Sequence, residues 1–139
     1  MIPISFVSVF VAAIAAFIIG FLMHGPVAGK LWMRLANITP TGNEKMSDMY
    51  GQMFMNLLAN IVSASILAVI YIFMSTSGYE TSTPVVNGLI CGFLVWTGFI
   101  VTSSSMDVIW MGQSFKLWLF EVVSSLIVML AMGAIIALW

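Results

Sequence analysis

Four stretches of this chain run almost free of charge for long enough to cross a bilayer, and that pattern excludes most architectures. The first extends from Ile4 to Met23 without a charged residue. About 20 apolar residues, rising 1.5 Å each, span a hydrocarbon core of about 30 Å. The others are expected over residues 52–74, 85–106 and 116–138, the last interrupted by Lys116 at its entrance and by Glu121. Charged residues make up only 6% of the chain, whereas a soluble domain needs about 25% to cover its surface. The expected fold class is therefore all-α: a polytopic membrane protein in which the 139 residues form one transmembrane domain of four helices.

Local signals place the helix ends. A cleaved signal peptide opens on basic residues and has a shorter apolar part; nothing basic precedes Lys30, so the first helix is expected to be retained. Thr41, followed three residues later by Glu44, is a capping-box pattern and predicts that the second helix starts before it enters lipid. Thr83-Pro84 is a good N-cap and first-turn pair for the third.

The 4 basic residues orient the bundle. Lys30, Arg34 and Lys45 fall in the first loop and Lys116 at the end of the third. The second loop carries only the acidic Glu80. The positive-inside rule puts loops one and three in the cytoplasm and both termini outside, as expected for a multi-pass protein of the cell membrane. Within the first loop, residues 26–37 read PVAGKLWMRLAN. Lys30 and Arg34, one helical turn apart and beside Trp32, suit a short helix in the headgroup layer. A plain amphipathic connector and a headgroup or substrate site both fit; Lys116 belongs to the same interface.

The same residues carry a family resemblance. Pro26, then Gly29-Lys30-x-Trp32-Met33, together with Gly92-Phe-Leu-Val-Trp96-Thr-Gly98-Phe99, Gly112-Gln-Ser-Phe-Lys116-Leu117 and the closing Met132–Trp139, resembles the bacterial membrane family called domain of unknown function 1761. The resemblance covers nearly the whole chain. It implies a small four-helix membrane protein, and the family name assigns no activity. Met23-His24 stands where members usually have Trp-Tyr, and Glu121 where they tend to have a neutral polar residue.

Polar side chains inside the spans are the candidate site. An ionised carboxylate in hydrocarbon costs several kcal/mol, so Glu121 is expected to face the bundle interior. It lies about 7–8 Å deeper than Lys116 at the helical rise, close enough to the interface that it could instead reach water. Ser124 and Ser125 share its face. Helix two presents Gln52, Asn56, Asn60 and Ser63 on one side, where amides hydrogen-bond across helices. Helix one presents Ser8, Ala12, Ala16 and Gly20, a small-residue stripe that admits a close neighbour, ending at His24. Given the orientation, His24, Gln52, Asn56 and Glu121 fall in one layer in the cytoplasmic third of the bilayer, joined by Ser103–Ser105 and Asp107.

Two functions remain open. One is an oligomeric bundle, a homo-oligomer, that binds or translocates a small solute or ion, with Glu121 as a proton or cation site. Against it, the spans lack the Gly/Pro interruptions of discontinuous transporter helices. The other is a structural or accessory subunit of a larger membrane complex, its 12 methionines and 10 phenylalanines giving adaptable apolar surface. The expected partner in either case is the lipid bilayer. No catalytic constellation is present: H-E-x-x-H, a nucleophile elbow and a phosphate-cradling loop are all missing, so no enzyme is expected. With Cys91 the lone cysteine, neither a disulfide nor a cysteine-based metal site is expected, and no cofactor is implied. Four basic residues build no nucleic-acid surface.

Overall fold

The computed structural model describes residues 4–43, 45–78 and 83–139. Among these the chain is helical, with four helices long and apolar enough to cross a membrane. Helix α1 spans Phe6–His24, a short α2 spans Gly29–Leu35, and α3 spans Tyr50–Thr76 after a 3-10 turn at Met46–Met49. Helix α4 runs over Pro84–Trp110, and α5 over Phe115–Ala137. Glu80 and the rest of the second loop, 79–82, lie outside the described residues, as does Glu44.

Helix boundaries follow local chemistry. Ser5 caps α1, its Oγ accepting from the Ser8 amide at 3.3 Å. Thr83 is extended at the N-cap of α4 with Pro84 in the first turn, although its side chain makes no capping hydrogen bond. The start expected from Thr41 lies later: the helix begins at the Met46 3-10 turn. Gly42 and Gly112 hold positive φ in the first and third connections, a conformation that costs glycine little because it has no Cβ.

The helices form a ring in chain order. α1 packs on α3, α3 on α4, α4 on α5 and α5 back on α1, while α1 and α4 make no contact among the described residues. α3 also reaches α5 across the diagonal, so no lumen runs through the centre. The buried core is built from Val9, Ala12, Ala13, Ala16, Ala64, Leu67, Ala68, Cys91, Met132 and Ile136. Of the α1 small-residue stripe, Ser8, Ala12 and Ala16 are buried, as close helix packing requires.

The tightest seam lies between α4 and α5. A Cβ added at Gly88 would collide with the Gly133 carbonyl oxygen, and one at Gly92 with the Met129 carbonyl oxygen. Gly88-Leu-Ile-Cys-Gly92 is the small-x-x-x-small spacing that lets two backbones touch. Towards the other end the spacer changes. Trp96 Nε1 donates to the Val122 carbonyl at 3.0 Å and to Ser125 Oγ at 3.2 Å, and Trp118 Nε1 donates to Ser104 Oγ at 3.0 Å.

Winding in α4 is irregular at one place: Trp96–Val101 is π-helical within the continuous span. The extra residue in that turn rephases the two halves of the helix, and such bulges recur at functional sites. The run Ser103–Ser105 lies inside the helix, which continues to Trp110. The Ser103 hydroxyl donates to the Phe99 carbonyl, that of Ser104 to Val101 (3.3 Å) and that of Ser105 to Thr102 (2.7 Å).

Candidate functional site

Helices α1, α3 and α5 converge at the end of the bundle that carries α2, and there they leave a cleft of about 580 Å³. Its far end is closed by the alanine-rich core. α1 contributes Ala16, Phe17, Gly20, Phe21 and His24; α3 contributes Gln52, Met53, Asn56 and Asn60; and α5 contributes Glu121, Ser124, Ser125, Val128 and Met129. Trp32 of α2 and Met49 complete the wall.

The intramembrane candidates His24, Gln52, Asn56, Asn60, Glu121, Ser124 and Ser125 therefore all line this one cavity. Their convergence follows from helical periodicity. Gln52, Asn56 and Asn60 recur at single-turn spacing on α3, as do Glu121, Ser124 and Ser125 on α5. Ser63, expected on the same α3 stripe, is not part of the lining, and neither are Ser103–Ser105 and Asp107, which sit on the helix that α1 does not touch.

The hydrogen bonding differs from the expected cross-helix pattern. Asn60 Nδ2 donates to Asn56 Oδ1 at 3.2 Å, along α3 itself. The Ser124 hydroxyl donates to the Phe120 carbonyl at 2.8 Å and that of Ser125 to Val122 at 2.8 Å. Asn56, Asn60 and Ser124 thus bond along their own helices, while Ser125 Oγ in addition accepts from Trp96 Nε1 of α4. Among the described residues no buried polar side-chain atom lacks a partner.

Glu121 is half-buried. Its carboxylate accepts a hydrogen bond from Gln113 Nε2 of the third connection at 3.2 Å. No lysine or arginine is found among the described residues of the lining. Lys116 faces away, into a separate apolar groove formed with Met23, Leu31, Leu35, Leu119, Phe120 and Val123. Five residues turn a helix by about 140° beyond a full revolution, which is why a nearby lysine is no counter-ion. Gln113 is invisible to a reading of the spans because it lies in a loop.

His24 sits at the rim in an aromatic clasp. Its ring meets Trp32 edge-on at 5.3 Å between centroids and Phe120 at 5.7 Å, and Nδ1 lies 3.0 Å from the Gly20 carbonyl oxygen. Those contacts dock α2 against the mouth of the cleft. Of the interface residues, Trp32 thus belongs to the cavity wall, while Lys30 and Arg34 are exposed on the same short helix. No group of three metal-ligating side chains occurs among the described residues.

One further polar residue escapes a reading of the sequence. Asn87 is 2% exposed in the first half of α4, remote from the cleft; a single asparagine in an apolar run gives no stripe to detect.

Comparison with curated proteins and with solved structures finds no match. The model of the family described as protein of unknown function (DUF1761) matches residues 7–137. With an all-helical, four-span architecture and a match over nearly its whole length, the chain belongs to that family.

Proposed function

We propose that this multi-pass protein binds a small solute or ion in a vestibule open to the cytoplasm and carries it across the cell membrane as a homo-oligomer. The observation that carries the reading is the convergence of Glu121 and the polar groups of α1, α3 and α5 on one cleft with no cationic side chain among its described lining residues. Intramembrane carboxylates are costly and mark ion or substrate pathways. The N-out, C-out orientation rests on Lys30, Arg34, Lys45 and Lys116 all lying at the end where the cleft opens. Because the core blocks the outer half of a single bundle, the remaining path lies between copies or opens through the alanine-rich core.

The test uses Asn56→Cys in a Cys91→Ala background, in oriented membrane vesicles. A water-soluble maleimide is expected to label the introduced thiol from the cytoplasmic face only. Reconstituted protein is expected to show solute or proton flux that Glu121→Gln abolishes. No labelling from either face, together with no flux, overturns the reading. Co-purification with a larger complex under those circumstances would favour an accessory subunit instead.

A further inference from the structure

Resting on that reading, we infer that the vestibule's ligand is an amphipathic organic cation, an ammonium group carried on an apolar or aromatic body.

Charge comes first. Among the described residues of the lining, Glu121 alone carries a formal charge when histidine is neutral, and Lys116 points into a different groove. With Glu121 ionised the cleft is net negative and disfavours anions. Its carboxylate takes an amide donor, Gln113 Nε2, but no cation among the described residues. A carboxylate in so apolar a setting gains most from a ligand that brings the missing positive charge.

Size comes next. About 580 Å³ lies within the range of cavities that take drug-sized molecules, about 300–1,000 Å³. A bare metal ion or a hydronium would leave most of that space empty, and the ligand set for a metal is absent among the described residues.

The wall decides the rest. Phe17, Phe21, Val128, Met129, Met49 and Met53 dominate it, so a polyhydroxylated solute would lose more hydrogen bonds to water than it regained. An apolar body finds matching surface here. Trp32, whose ring is held by its edge contact with His24, stands at the mouth. Indole is the best aromatic partner for a cation. The paired amides of Asn56 and Asn60 offer polar contact along the α3 wall, opposite the carboxylate on α5.

The experiment is calorimetric titration of the full chain in lipid nanodiscs with phenyltrimethylammonium, its neutral isostere tert-butylbenzene, and benzoate. Phenyltrimethylammonium is expected to bind at least tenfold more tightly than either of the others. Glu121→Gln should remove that preference, Glu121→Asp should retain part of it, and Trp32→Leu should weaken the cation severalfold. Equal affinity for all three probes, or a cation preference indifferent to Glu121→Gln, overturns the inference. Maleimide labelling of the Asn56→Cys variant separates the two readings. If benzoate or a neutral solute protects the introduced thiol and phenyltrimethylammonium does not, the cation inference fails while the solute vestibule stands. If the maleimide never reaches that thiol, both fail.

Discussion

The indole of Trp96 hydrogen-bonds to Ser125 Oγ at 3.2 Å and to the Val122 carbonyl at 3.0 Å. Through that contact α4, which lines none of the cleft, sets the position of the helix that carries Glu121. Trp96→Phe keeps the ring and loses the donor. A net hydrogen bond is worth about 1 kcal/mol, so the variant should lose a few degrees of thermal midpoint in lipid nanodiscs. An unchanged midpoint would show that the indole N–H does not hold α5.

The glycine seam is far less forgiving. Gly88→Ala would drive a Cβ into the Gly133 carbonyl oxygen and to 2.7 Å from the Ala137 Cβ. Overpacking of this kind costs about 1–3 kcal/mol, and here backbone must move, so low yield of folded protein is expected. Gly98→Ala is the control, because a Cβ there meets nothing within 4 Å. Equal midpoints for the two variants, measured side by side, would contradict the seam.

Gly20 allows the cleft to be filled without disturbing the bundle. It lines the cavity, and a Cβ there also meets nothing within 4 Å. Gly20→Leu is expected to fold like the wild type and to lose solute binding or flux. Retained binding would place the ligand elsewhere.

Cys91, at 2% exposure, is packed in the core near the α4–α5 seam. A maleimide should leave it unmodified in intact protein and label it fully after denaturation in sodium dodecyl sulfate, as mass spectrometry would read directly. Labelling of the folded protein at a comparable rate would mean that the seam opens readily.

His24 separates packing from polarity at the rim. His24→Phe keeps an aromatic edge towards Trp32 and Phe120 and forfeits only the contact with the Gly20 carbonyl, so stability should change by less than about 1 kcal/mol. His24→Ala removes the ring that docks α2, and protease cleavage in the first loop should accelerate. Equal cleavage rates in the two variants would show that the aromatic clasp does not anchor α2.

Legibility in the sequence divides along physical lines. The spans can be read because a helix in lipid needs only length and the absence of charge, and both are local properties. The polar layer can be read because orientation sets depth: His24 ends one helix on the side where Gln52 and Glu121 begin theirs. Azimuth is harder. Lys116 is close to Glu121 in sequence, yet helical phase puts it on another face. The amides of Asn56 and Asn60, expected to reach other helices, instead bond to one another along α3, since an i, i+4 pair lies within reach. The Gly88/Gly92 seam, Trp96 and Gln113 depend on which helices touch, and spacing within one segment does not reveal the partner. The capping-box expectation at Thr41 and Glu44 falls partly on a position outside the described residues.

The π-helical turn at Trp96–Val101 divides α4 into two stretches that meet α5 by different means: bare glycine backbone before the turn, and from the turn onward one indole from each helix, Trp96 of α4 and Trp118 of α5. A clothes-peg has the same construction. Its jaws close where nothing separates them and its arms stand apart where a spacer intervenes. Of the two indoles only Trp96 stands on α4, and shortening it should retune the width of the cleft from a helix that never borders it.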